Sequence, residues 1–139
     1  MSSHIRINNQ KFRVYIEGDE KRQVLSLYLY PPYSVMEGKF VDACMLFNFF
    51  NDAYQFTGRI SVSDDGTIRY KEFIDVENIE PKTAMIFHML DCGIVLFQEN
   101  NEAFAAVALT RKTYEAIRDE LDKKHNEFVS QRSDESGTP

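Results

Sequence analysis

The stretch that most constrains the fold is residues 40–54, which read FVDACMLFNFFNDAY. It is longer than a typical strand, and its apolar residues recur at helical spacing, so it predicts a helix. A second apolar stripe, at i, i+4 and i+8, comprises Val41, Met45 and Phe49. Because a helix that is apolar on two sides must be covered on two sides, this stripe is a candidate contact with another helix or with a partner protein. The broad first face, expected to point into the core, contains Phe40, Ala43, Cys44, Phe47, Phe50 and Tyr54.

The chain before this helix has the alternation of β-strands. Apolar and polar residues alternate through residues 4–30, with polar turns at 8–10 and 18–21. Three strands with short connections predict an antiparallel meander. Pro31 and Pro32 end the third strand, since proline cannot donate to a strand ladder.

The segment after the helix predicts a hairpin. Residues 58–76 alternate on either side of an Asp-Asp-Gly-Thr turn, in which Gly66 adopts a positive φ without steric cost. Glu72 interrupts the apolar side of the second strand. It predicts either that this side is exposed there or that the strand bulges.

The next segment is apolar along one side. From residue 85 to residue 108 the apolar side chains stay within an arc of about 160° on a helical wheel, which predicts one long helix. Asn100 lies inside that arc, so a kink or a short break is expected near it. The alternative is a hairpin in which 94–98 and 103–109 are strands, and the continuous arc favours the helix.

A last helix is predicted from Thr110, with Thr110 as its N-cap. The order of elements in the chain is then β-β-β-α-β-β-α-α. This order predicts an α+β fold in which helices cover a five-stranded antiparallel sheet. Residues 1–129 are predicted as a single domain, and the polar residues 130–139 as a disordered tail. The narrow apolar stripe of the last helix contains Tyr114, Ile117, Leu121 and Phe128.

Composition disfavours two classes of function. The net charge is −6, and the lysines and arginines are scattered, so no run predicts binding to a phosphate backbone. No apolar run approaches the ~20 residues that a membrane-spanning helix needs. Cys44 and Cys92 lie in apolar surroundings and are predicted to be buried free thiols. With no signal peptide before the first strand, the chain is predicted to be cytoplasmic.

The sequence predicts no catalytic, cofactor or metal site. Phosphate-binding glycine loops, HExxH, CxxC and GxSxG motifs are all absent from it. The acidic turn at 64–66 passes directly into a strand and lacks the spread of oxygen ligands that a calcium loop requires. His88, Asp91 and Cys92 share one side of a helix, but no second cluster completes a set of four ligands.

Two functional hypotheses follow. The first is a non-enzymatic protein-binding or regulatory domain, acting as a homodimer or as a chaperone-like adaptor, with Val41, Met45 and Phe49 as its partner contacts. The alternative is a small-ligand sensor with an aromatic pocket between the sheet and the long helix. Candidate lining residues for that pocket are Tyr15, Tyr28, Phe73 and Phe87.

The chain also resembles a known family. LFNFFN in the central helix, with Asn48 and Asn51, is followed by TGRISVSDDGTIRY and by a helix that starts near IEP. This order resembles the YbjN family over roughly residues 11–117. The resemblance implies a fold like that of type III secretion chaperones, in a cytoplasmic bacterial regulator without enzymatic activity that dimerises and binds protein. Such folds open with a helix, whereas this chain opens with strand character at Ile5.

Overall fold

A computed structural model describes residues 1–136. The five strands and three helices confirm the predicted α+β class and the predicted order of elements. In chain order they are β1 (Ser2–Ile7), β2 (Gln10–Asp19), β3 (Val24–Tyr30), α1 (Phe40–Ala53), β4 (Arg59–Val62), β5 (Ile68–Asp75), α2 (Thr83–Leu109) and α3 (Tyr114–Ser136).

The strands form one antiparallel sheet in the order β1-β2-β3-β5-β4. Asn8 and Asn9 connect β1 to β2 with φ values of 50° and 64°, the backbone of a two-residue hairpin turn that suits the twist of the strands. Gly66, at φ 88°, fits the β4–β5 turn because a Cβ there would lie 2.5 Å from the carbonyl oxygen of Val35. The meander and the hairpin are joined through the β3–β5 pair.

All three helices lie on one side of the sheet, and the core lies between them. Phe12 of β2 meets Phe97 of α2 edge to face, with ring centroids 4.9 Å apart. Phe104 of α2 makes edge-to-face contacts with Phe47, Phe50 and Phe97, at centroid distances of 5.5, 4.8 and 5.6 Å. Since side chains alternate along a strand, the opposite side of the sheet faces away from the helices. We call that side the open face.

The predicted core face of α1 is wrong at its two ends. Ala43, Leu46 and Phe47 are buried together with Phe50, but Phe40 is 39% exposed and Tyr54 is 41% exposed. Phe40 is the first residue of the helix and Tyr54 follows its last turn, so both lie where the core layer ends.

Glu72 corrects a second prediction. Its side chain is buried, 4% exposed, and its strand pairs with β3 in regular register on both sides of it, without a bulge. The carboxylate accepts hydrogen bonds from the hydroxyl of Tyr70, at 2.9 Å, and from the hydroxyl of Thr57. The pKa of Tyr70 is raised, first by burial and second by the negative charge of Glu72. The phenol therefore stays protonated and donates a hydrogen bond to Glu72.

The long helix α2 is continuous over Thr83–Leu109, which confirms the predicted helix. The alternative hairpin and the short break expected near Asn100 are therefore wrong, and a kink there stays a prediction. Asn100 is buried, and its side-chain amide donates to the carbonyl oxygen of Leu96 at 3.0 Å. That bond satisfies the polar group within the helix itself, so the ladder does not have to open. The neighbouring Asn101 accepts from the hydroxyl of Tyr33 at 2.6 Å and donates to Gln10 at 2.8 Å.

Helix α3 starts later and ends later than predicted. The N-terminal cap is Thr113, not Thr110, because the Thr113 hydroxyl accepts from the backbone N–H of Ala116 at 3.2 Å. The helix continues over 130–136, within the predicted tail, since no glycine or proline occurs before Gly137. Residues 137–139 of that tail lie outside the described residues. The division into one domain and a tail stays a prediction.

Asn51 ties α1 to the edge strand β4. Its amide donates to the carbonyl oxygen of Ile60 at 2.9 Å and its carbonyl accepts from the N–H of Ile60 at 3.0 Å. This pair of hydrogen bonds occupies backbone groups that an edge strand otherwise leaves open to other strands.

We expect Asn51→Ala to lower the free energy of unfolding by about 2 kcal/mol, measured by urea denaturation. The matched control is Asn48→Ala on the exposed side of α1, and an equal loss in both variants would contradict this role.

Candidate functional site

The structure separates the three predicted partner contacts on α1. Val41 is 66% exposed and Met45 is 36% exposed, whereas Phe49 is half-buried. The guanidinium of Arg118, on α3, lies 3.6 Å from the centre of the Phe49 ring, a cation–π contact. The last helix therefore covers one end of this stripe and leaves Val41 and Met45 accessible.

A second apolar surface lies on the first half of α2. Phe87 is 60% exposed and Val95 is 46% exposed, while Leu90 and Ile94 are half-buried. Phe87, Leu90 and Ile94 are spaced i, i+3 and i+7, so they share one side of the helix. We call these three residues the α2 stripe. The sequence held part of the signal for it: Phe87 and Ile94 are apolar and fall outside the predicted core arc, whereas Leu90 lies within that arc.

The open face carries most of the aromatic residues that were predicted to line a pocket. The rings of Tyr15 and Tyr28 are 6.1 Å apart, and those of Tyr28 and Phe73 are 6.2 Å apart. Tyr28 also stacks with Tyr30 at 6.4 Å. Phe87 belongs to α2, on the other side of the sheet. The structure therefore does not bring the four predicted residues together in a pocket between the sheet and the long helix.

Cations surround these rings. The guanidinium of Arg13 lies 4.5 Å from the centre of the Tyr30 ring, and that of Arg69 lies 5.8 Å from the centre of the Tyr28 ring. In the strand register, Tyr28 stands between Tyr15 and Lys71. Sequence reasoning missed this cluster, because its cations come from different strands and are far apart along the chain.

The buried polar groups serve the fold. Glu72 is held by two hydroxyl donors, as described above. Burial raises the pKa of Tyr33, so its hydroxyl stays protonated and donates to Asn101. Among the side chains of residues 1–130, no group of three or more His, Cys, Asp and Glu lies close enough together to hold a metal ion. Of the helices within residues 1–136, none combines the length and apolarity that a membrane crossing requires.

Comparisons with known proteins found similarity to solved structures only. No protein-family model matches the chain, and no curated protein matches it. The YbjN resemblance therefore stays a prediction from sequence.

Three solved complexes are similar in structure. The chain is similar to a chain of the ExsC-ExsE complex, with 14% identity over 70% of this chain and 74% of that one, at a TM-score of 0.44. It is similar to a chain of the HopA1-SchA chaperone-effector complex, with 13% identity over 71% and 73%, at a TM-score of 0.43. The third is the heterodimeric ExoU-SpcU complex of the type III secretion system of Pseudomonas aeruginosa, with 8% identity over 78% and 83%, at 0.46. At these scores, the functional proposals below rest on the chain's own surfaces.

Proposed function

We propose that this chain is a non-enzymatic, cytoplasmic protein-binding domain that forms a homodimer through the α2 stripe. The observation that supports it is the exposure of Phe87 on a helix whose opposite side is already filled by the core. Leu90 and Ile94 pack partly against the core, so Phe87 is the exposed residue of the stripe and the other two border it. An exposed aromatic ring with apolar neighbours is a common feature of contact surfaces. The proposal includes no reaction, and the buried carboxylate of Glu72 is engaged by hydroxyl donors.

A second copy of the chain is the occupant that this stripe fits. In an antiparallel pairing about a two-fold axis, Phe87 of each copy lies opposite Ile94 of the other copy. Leu90 then lies next to the axis, so both copies bury the same three side chains. Self-association needs no charge complementarity at the stripe, because all three side chains are apolar.

Val41 and Met45 remain the proposed contacts for a different protein, which is the adaptor part of the function. Both side chains are accessible on α1. Phe49 joins them only if Arg118 moves away from its ring, since the guanidinium now covers it. A partner that binds here therefore contacts Val41 and Met45 first.

The oligomeric state tests the dimer. We expect light scattering after size exclusion to give twice the mass of the chain for the wild type, and the mass of one chain for Phe87→Glu, because a buried unpaired carboxylate costs several kcal/mol. Val41→Glu is the matched control: it adds the same charge at a similarly exposed position, and we expect it to remain dimeric. A wild type that stays monomeric at all concentrations overturns the proposal. If Val41→Glu dissociates the dimer and Phe87→Glu does not, the dimer contact lies on α1 and the α2 stripe is not the interface.

A further inference from the structure

The open face of the sheet has a charge opposite to that of the whole chain. It carries six lysines and arginines against three carboxylates, although the net charge of the protein is −6. The cations share a further property. Among the side chains that the structure describes, residues 1–130, none of them forms an ion pair, whereas five cations elsewhere do. The six open-face cations are Arg6, Lys11, Arg13, Arg59, Arg69 and Lys71.

The strand register places the acidic and the basic side chains of the open face at opposite ends of the strands. Glu17 pairs with Ser26, and Asp19 and Asp75 flank Val24, so all three carboxylates lie at one end of the open face. Arg13 stands opposite Tyr30, toward the other end. The face therefore has a cationic half that contains the tyrosines and an acidic half that borders it.

Several features of the cationic half suit a bound carboxylate. Nε of Arg69 is buried and has no hydrogen-bond acceptor among the described residues. Arginine binds carboxylates through paired N–H donors. Because Nε of Arg69 has no internal hydrogen bond to lose, the side chain can turn outward and offer this donor to a carboxylate. Beside it, an open groove of about 560 Å³ extends the surface past the end of the sheet, between Lys11, Arg13 and Tyr30 and the proline pair at Pro31 and Pro32.

We propose that the cationic half of the open face binds an extended acidic segment of a partner protein that also carries apolar side chains. Arginine and tyrosine are the residue types that dominate the energetics of protein interfaces. Carboxylates of the segment would pair with Arg13, Arg69 and Lys71, and its apolar side chains would pack on Tyr28. This inference rests on the proposed protein-binding function, but it uses a different surface from the α2 stripe.

A single-stranded nucleic acid is the competing occupant, since it also combines anions with rings that stack. The carboxylates on the face favour the peptide. Glu17 and Asp75 would oppose a phosphate backbone that continues along the strands. A peptide can place its carboxylates on the cationic half alone.

Fluorescence anisotropy with a labelled probe tests this site. The probe is a peptide in which pairs of glutamates alternate with pairs of leucines, so each side of the extended chain carries both residue types. Its control replaces every glutamate with lysine. We expect the acidic peptide alone to bind, and its affinity to fall at high salt, because exposed charges are screened. The double variant Arg13→Glu/Arg69→Glu is expected to bind at least about 10-fold more weakly. Arg111→Glu, an exposed cation in the α2–α3 connection, is the matched control and should change affinity by less than about 2-fold.

Further readouts separate the possible outcomes. Circular dichroism and a thermal melt show whether the double variant folds, and Tyr28→Ser, which changes no charge, should also weaken binding. Equal binding of both peptides, or unchanged affinity in the double variant, overturns the proposal. Binding of an oligothymidylate in place of the peptide assigns the face to nucleic acid and overturns it too. The dimer is judged separately: Phe87→Glu should keep peptide binding, and Arg13→Glu/Arg69→Glu should keep the wild-type mass.

Discussion

Phe104→Ala is expected to lower the free energy of unfolding by about 3–5 kcal/mol, because it removes a fully buried ring and leaves a cavity. Phe104 is 0% exposed and contacts Phe47 and Phe50 of α1 as well as Phe97 of its own helix. The surrounding rings come from two helices, so they cannot collapse into the space without moving both. Urea denaturation followed by circular dichroism measures the loss.

The matched control is Phe73→Ala, which removes the same ring from the open face, where Phe73 is 55% exposed. Its edge-to-face contact with Tyr28 is worth about 0.5–1.5 kcal/mol, so we expect the control to cost no more than about 1.5 kcal/mol. A loss for Phe104→Ala no larger than that of the control would show that α2 does not form the centre of the core.

The fold was predictable where a periodic pattern coincided with burial on one side. The alternation before Pro31 specified three strands and their pairing, and the arc across 85–108 specified one helix rather than a hairpin. Glu72 was misread because its side chain is polar, while its position in the alternation pointed to the core. The hydroxyl groups that satisfy it come from Tyr70, two residues away, and from Thr57 in another segment, so hydrogen bonding overrode polarity.

The candidate surfaces were less predictable, since each depends on which elements become neighbours. The apolar stripe on α1 was visible as a sequence pattern. The residue that covers part of it was not, because Arg118 belongs to the last helix and contacts Phe49 only in the folded chain. The cationic half of the open face arises only when register places Arg13 of β2 and Lys71 of β5 on either side of β3. A scan for runs of charge along the chain cannot detect such a cluster.

Asp42→Ala is expected to cost about 2–4 kcal/mol, because it leaves a buried ammonium without its counter-charge. The Lys39 side chain is 8% exposed, and its Nζ lies 3.6 Å from a carboxylate oxygen of Asp42. The other oxygen of Asp42 accepts from the backbone N–H of Tyr114 at 2.8 Å, at the first residue of α3. One carboxylate therefore neutralises Lys39 and fixes the start of the last helix. Urea denaturation measures the loss, and Asp52→Ala, near the end of α1, is the control.

A double-mutant cycle separates these two roles. Lys39→Met keeps an apolar stem of similar length and removes the charge, although it also removes the hydrogen bond that the ammonium donates to the carbonyl oxygen of Lys112. If the main cost of Asp42→Ala is the unpaired ammonium, the same substitution on the Lys39→Met background should cost only about 1 kcal/mol, the value of the remaining bond to Tyr114. An unchanged cost on that background would mean that Asp42 acts through α3 alone. In that case the loss of stability should appear as unfolding of α3 before the rest of the chain. The packing of α3 also holds Arg118 over Phe49. It therefore determines how much of the stripe formed by Val41, Met45 and Phe49 a partner can reach.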